Sequence, residues 1–102
     1  MELLKDYQSF VDAVTSDQSK NLPDMINALE ILEEQGVEPS RLLTAATGLA
    51  GECGEFNEII KKCLFQGKAM DEERIVHLRK ELGDILWYIA QACLALNTNI
   101  EE

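Results

Sequence analysis

The amino-acid sequence predicts an all-α fold of four helices, and three observations support this prediction. Apolar residues recur at three- and four-residue steps along most of the 102 positions, which is the period of one face of a helix. No segment alternates apolar and polar residues as a half-buried strand does. Gly36, Pro39 and Gly67 stand where the periodic segments are interrupted. We therefore expect a single helical domain over residues 1–102.

Each helix has its own local signals. The first covers about residues 2–14, with apolar residues at helical spacing: Leu3, Tyr7, Phe10 and Val14. A polar linker separates it from the second helix, Leu22 to Glu34, which stops at Gly36. The third starts at Glu38-Pro39-Ser40 and extends to about Phe65, before the Gln66-Gly67-Lys68 break. The fourth covers roughly residues 71–97, and Asp71 is placed to cap it.

Composition and charge exclude several classes of partner. The net charge is −10, from 19 acidic and 9 basic residues, so the chain lacks the positive field that nucleic acid and anionic membranes require. The longest nearly apolar stretch, Ile85 to Leu96, is too short to span a bilayer. The N-terminus lacks the pattern of a signal peptide, and the three cysteines form no CxxC pair. We expect a cytoplasmic protein with small buried thiols.

The fourth helix combines a continuous apolar seam with a polar strip beside it. The seam residues are spaced three and four apart: Ile75, Leu78, Leu82, Ile85, Ile89, Ala92 and Leu96. The strip contains Glu81, Asp84, Tyr88 and Gln91, with His77 in line with them. From Leu82 to Leu96 the helix is apolar nearly all round, which predicts a buried helix that needs cover on all sides.

The third helix repeats this arrangement. Its predicted apolar stripe consists of Leu42, Ala46, Leu49, Cys53, Phe56, Ile60 and Cys63. Glu52 lies at the edge of the stripe and Glu55 one step further round, among Gly48, Gly51 and Gly54. Because each glycine costs roughly 1 kcal/mol in a helix interior, three of them within seven residues suggest that another group comes close to this backbone.

Antiparallel packing of the third and fourth helices through a short turn would bring two acidic pairs together. Glu52 and Glu55 would then face Glu81 and Asp84. Four partly buried carboxylates repel one another and lose hydration, so they either take up protons or hold a cation. Oxygen ligands select a hard divalent ion such as Mg²⁺, Mn²⁺ or Ca²⁺. We predict a metal site formed by these four residues.

The acidic residues have two other interpretations. Acidic residues three apart are common on solvated helix faces, but Asp84 lies in the most apolar stretch of the chain. A di-iron carboxylate bundle needs Glu-x-x-His pairs, whereas His77, the only histidine, follows Arg74 by three residues. The magnesium-type site is therefore favoured.

The motif also resembles a known family. Glu52-x-x-Glu55, a spacer of 25 residues and then Glu81-x-x-Asp84 resemble the signature of the MazG-type nucleotide pyrophosphohydrolases, in the all-α NTP pyrophosphatase superfamily. The segments LAGECGEFNEIIKK and KELGDILWYIAQ look like the two metal-binding helices of that family. The resemblance is clear over about residues 40–96.

This resemblance implies a function. The four acidic residues would bind Mg²⁺, with Mn²⁺ as the alternative ion, in a homodimer or homotetramer. A nucleoside triphosphate, with a deoxynucleotide preferred, would be cleaved between its α and β phosphates to a monophosphate and pyrophosphate. Glu52 or Glu55 would take the proton of the attacking water, and Lys62, Tyr88 and Gln91 would contact the substrate. Gln91 departs from the asparagine that many MazG domains carry at that place.

Two alternative functions remain open at this stage. One is a non-catalytic acidic helical oligomer that binds a partner protein or acts as a regulatory module. The other is hydrolysis of phosphoribosyl-ATP, which needs a site for the phosphoribosyl group. No residues in the sequence were assigned to such a site.

Overall fold

The computed structural model describes residues 2–102 and contains four α-helices and one short 3₁₀ helix, with no strand in this range. The elements are α1 (Glu2–Val14), a 3₁₀ helix (Asp17–Ser19), α2 (Leu22–Glu34), α3 (Pro39–Gln66) and α4 (Glu72–Ala95). The predicted all-α fold with four helices is confirmed, and the predicted bounds agree within two residues. No helix of the described chain is both long enough and apolar enough to cross a membrane.

The chain divides into two compact units, with the division after Gln35. In the first unit, α2 begins at Asn21, whose side-chain oxygen accepts a hydrogen bond from the Asp24 backbone N–H at 2.9 Å. This cap satisfies one of the free donors at the start of the helix. The single-domain organisation over residues 1–102 stays a prediction.

The second unit is an antiparallel hairpin of α3 and α4, as the sequence predicts. α3 ends at Gly67, whose φ of +68° is a left-handed conformation that glycine adopts at little cost. Asp71 then caps α4 by accepting a hydrogen bond from the Arg74 backbone N–H at 2.9 Å. The connection is therefore short, which places the two long helices side by side.

Hydrogen bonds also fix the open end of the hairpin. The Glu38 backbone N–H donates to the Ala95 carbonyl at 3.0 Å, so the start of α3 is joined to the end of α4. The Asn97 side-chain amide donates to the Gly36 carbonyl at 2.7 Å. With the hairpin held at both ends, the register of the two helices is set along their whole length.

The face that α3 presents to α4 differs from the predicted apolar stripe. Ala45 and Ile59 are buried, whereas the predicted members Ala46 and Cys53 are exposed. The inward face is thus rotated toward Glu52, which is half-buried. The prediction of Cys53 as a core thiol is wrong for the single chain, because its helix turns this position outward.

The face that α4 presents to α3 is rotated in the same sense, toward its own acidic residues. Glu81, on the polar strip, is only 3% exposed, while Leu82 of the seam is 54% exposed. Ala95, on the same side as Glu81, is fully buried. The side of α4 that faces α3 is therefore rotated toward the polar strip. Leu78, Ile85 and Ala92 of the seam are half-buried, whereas Leu82 and Leu96 are left exposed within the hairpin.

Gly48 allows the two helices to approach closely. A Cβ atom at this position would overlap the Tyr88 ring, whereas a Cβ at Gly51 would meet nothing within 4 Å. The predicted close approach to the glycine-rich segment is thus located at Gly48 and supplied by Tyr88.

We expect Gly48→Ala to lower the free energy of unfolding by about 1–3 kcal/mol, because the added methyl group forces the Tyr88 ring to move. Gly51→Ala is the matched control and is expected to leave stability unchanged or raise it by up to about 1 kcal/mol. Urea unfolding followed by circular dichroism measures both. Equal effects of the two substitutions would contradict the close packing of Tyr88 on Gly48.

Candidate metal centre

Three of the four predicted ligands converge between α3 and α4. Glu52, Glu55 and Glu81 each offer one carboxylate oxygen, and these oxygens all lie within 4.8 Å of one another. α3 contributes two of them from consecutive turns, and α4 contributes the third from across the hairpin. This spacing allows one small cation to contact all three carboxylates.

Burial distinguishes the members of this acidic cluster, which we define as Glu52, Glu55 and Glu81. Glu81 is buried, Glu52 is half-buried and Glu55 is exposed. The Oε2 atoms of Glu52 and Glu81 are both buried without a hydrogen-bond partner among the described residues. Buried carboxylate oxygens are costly unless they are paired or coordinate a metal. The residues present therefore fit a hard divalent cation with oxygen ligands.

Asp84, the fourth predicted ligand, lies one turn beyond Glu81 on α4 and is half-buried. Its oxygens do not belong to the group of three that lies within 4.8 Å. Its negative charge nevertheless acts on Glu52, where it contributes to a raised pKa. Asp84 thus borders the cluster from the open side of the hairpin.

The pKa of Glu52 is raised above its ordinary value by its neighbours. The largest cause is a hydrogen bond with the Glu81 carboxyl, which requires one shared proton, and burial is the next. The negative charges of Glu81 and Asp84 act in the same direction, and a hydrogen bond with Glu55 opposes them. These carboxylates therefore favour a proton between Glu52 and Glu81, a place that a cation can take instead.

This pKa shift predicts how the stability of the metal-free protein depends on pH. Because the folded state binds the Glu52 proton more tightly than the unfolded chain, the stabilisation is fully present at low pH and is lost as pH rises through the folded-state pKa. We expect the Tm in EDTA to fall as pH rises through the folded-state pKa of Glu52. Glu52→Gln should reduce this dependence, as measured by thermal unfolding at several pH values. If the Tm of the Glu52→Gln variant depends on pH as that of the natural chain does, the shared proton is contradicted.

A polar cleft of about 290 Å³ lies toward the α3–α4 turn. It is lined by Ile59, Lys62, Asp71, Glu73, Arg74 and His77. Lys62, a predicted substrate contact, is exposed here, about 10 Å along α3 from Glu55 at 1.5 Å per residue. The Arg74 guanidinium is held by Asp71 at 3.3 Å and by the Ala69 carbonyl at 2.8 Å. The cleft therefore offers cationic groups beside the acidic cluster.

His77 is a site residue that the sequence placed on the strip without giving it a role. Its Nε2 lies 3.1 Å from Oε1 of Glu81, one helical turn further on. The signal for this contact was the spacing of four residues, which places two side chains on the same face of a helix.

The other predicted substrate contacts lie toward the open end of the hairpin. Tyr88 lines a second cleft of about 420 Å³ together with Leu43, Thr44, Thr47 and Gly48. The Tyr88 ring also meets Trp87 edge-on, with the ring centroids 5.0 Å apart. Gln91 is half-buried on the next turn of α4. The acidic cluster therefore lies between the polar cleft that contains Lys62 and a cleft with an aromatic and hydroxyl lining.

The fold and the site together define an all-α protein in which two antiparallel helices hold a carboxylate cluster suited to a divalent metal. The model of the MazG nucleotide pyrophosphohydrolase domain matches residues 41–101, more than half of the chain. The protein therefore belongs to this family of hydrolases, which generally depends on divalent metal ions. No curated protein and no solved structure matches the chain.

Proposed function

We propose that this protein is a Mg²⁺-dependent nucleoside triphosphate pyrophosphohydrolase, with Mn²⁺ as an alternative ion. Its products would be a nucleoside monophosphate and pyrophosphate, and deoxynucleotides would be preferred. The observation that carries the proposal is the acidic cluster, in which two buried carboxylate oxygens lack partners. The cluster lies on the helices that the family model matches.

The residues of the site have separate roles in the proposed hydrolysis. Glu52, Glu55, Glu81 and Asp84 would hold the cation, which would offset phosphate charge and lower the pKa of a water molecule when bound. Glu55 or Glu52 accepts the proton of the water that attacks the α phosphorus. Lys62 lies where it can offset the charge of the departing pyrophosphate.

The two clefts suggest how the substrate lies. Lys62 is beyond the acidic cluster in the direction of the α3–α4 turn, whereas Tyr88 is beyond it toward the open end. The scissile bond would lie at the cluster, where the carboxylates would hold the cation. The terminal phosphates would therefore point toward Lys62, and the nucleoside toward Tyr88 and Gln91.

A second copy of the chain would cover the apolar surface that α4 exposes. Within the hairpin, Leu82, Leu86 and Trp87 are each more than half exposed on the outer sides of α4. Such a large apolar surface is typical of a protein interface. We propose a homodimer or homotetramer in which another copy covers α4.

The three cysteines are free thiols, which agrees with our proposal of a reducing, cytoplasmic location.

A nucleotide panel with Mg²⁺ tests this function. The eight common NTPs and dNTPs are incubated with the protein in H₂¹⁸O. The products are separated by anion exchange, and their masses are measured by mass spectrometry. We expect equal amounts of monophosphate and pyrophosphate, with ¹⁸O in the monophosphate because water attacks the α phosphorus. EDTA should stop the reaction. Intact nucleotides across the panel, or label in the pyrophosphate, would contradict the proposal.

A further inference from the structure

Glu81 is the most deeply buried member of the acidic cluster, and its two oxygens have different surroundings. Oε1 lies 3.1 Å from Nε2 of His77. Oε2 is buried and has no hydrogen-bond partner among residues 2–102. The Glu81 side chain is 4% exposed, while that of His77 is 54% exposed. The imidazole therefore joins a buried carboxylate to the surface of the polar cleft.

The chemistry of this pair fixes which atom donates. As a metal ligand Glu81 is ionised and only accepts hydrogen bonds, so the contact then requires a proton on Nε2 of His77. The other ring nitrogen is free to face water, because more than half of the side chain is exposed. A neutral imidazole is sufficient for this role. The hydrogen bond holds Oε1 on the side of the cleft and restricts rotation of the carboxylate.

We propose that His77 is a positioning residue for the metal centre: it engages Oε1 of Glu81 and so reserves Oε2 for the divalent cation. This inference rests on the proposed function, because it assumes that the cluster holds a metal. Without His77, the Glu81 carboxylate loses the hydrogen bond that holds Oε1 and is free to rotate. Partners that orient a metal ligand typically contribute 10–100-fold to metal affinity or activity.

Mn²⁺ binding to the purified protein tests this role without nucleotide. The Kd is measured from the electron paramagnetic resonance signal of free Mn²⁺. His77→Leu, which has no hydrogen-bond donor, is expected to weaken binding by about 10–100-fold. His77→Gln, which can donate from its side-chain amide, is expected to restore most of the affinity. Arg79→Gln, an exposed change on the same helix, is the control and should bind like the natural chain.

The outcomes separate this inference from the proposed function. If the natural chain binds Mn²⁺ and a folded His77→Leu variant binds it equally well, the positioning role is overturned while the metal site stands. Absence of binding by the natural chain overturns both. Electron spin-echo spectroscopy of bound Mn²⁺ gives a second test on the natural chain, independent of how the variants fold. Coupling to a directly bonded nitrogen would show that His77 is itself a ligand and would overturn the proposal.

Discussion

Glu55→Gln is expected to lower the rate of nucleoside triphosphate hydrolysis by about 10²–10⁴-fold, the usual effect of removing a general base. Glu55 is the exposed member of the acidic cluster, so its carboxylate is the one most accessible to an arriving substrate and water. The amide keeps the shape of the side chain but neither carries the charge nor accepts the proton. The rate is measured as release of pyrophosphate at saturating Mg²⁺.

Glu58→Gln is the matched control for this experiment. It removes the same charge from the same helix one turn further on, where Glu58 forms an exposed ion pair with Lys61 at 3.3 Å. Exposed pairs of this kind contribute little to stability, so the variant should fold and retain its activity. A similar loss in both variants would mean that overall charge, rather than the cluster, governs the rate.

Replacing Leu82 and Leu86 together with glutamate is expected to convert the oligomer into monomers. Both residues are more than half exposed, and they lie one helical turn apart on a side of α4 that α3 does not cover. Four carboxylates from the two facing copies of a homodimer would be brought into an interface that offers them no partners, at a cost of several kcal/mol. Sedimentation velocity measures the mass in solution.

Lys68→Glu provides the control, because it also changes the net charge by −2 but lies in the exposed connection between α3 and α4. This variant should keep the assembly of the natural chain. A natural chain that sediments as a monomer at micromolar concentration would contradict the proposed cover of α4 by another copy.

The helices and the acidic cluster could be predicted from the sequence because their signals are local. The bounds of α3 and α4 follow from Pro39, Gly67 and Asp71, each of which acts through its own backbone or cap. The acidic pairs are marked by identical spacing and by the apolar stretch around Asp84. An antiparallel hairpin then brings Glu52 and Glu81 together whatever the finer packing is.

The rotation of the helices could not be predicted, because α4 is apolar on most of its circumference. Hydrophobic pattern alone favoured the seam with Leu82 as the buried face, whereas Glu81 turns toward α3. A helix that is covered on several sides gives no single direction to the core. The contact of Tyr88 with Gly48 also depends on this rotation, and the sequence showed only that the glycines needed a neighbour.

Carboxylates from α3 and α4 are proposed to hold a divalent cation, and anomalous scattering from a crystal soaked in Mn²⁺ would locate that ion. We expect one or more anomalous peaks between the helices, within coordination distance of oxygens from Glu52, Glu55 and Glu81. Peaks confined to the surface, with these three side chains directed apart into solvent, would contradict the account.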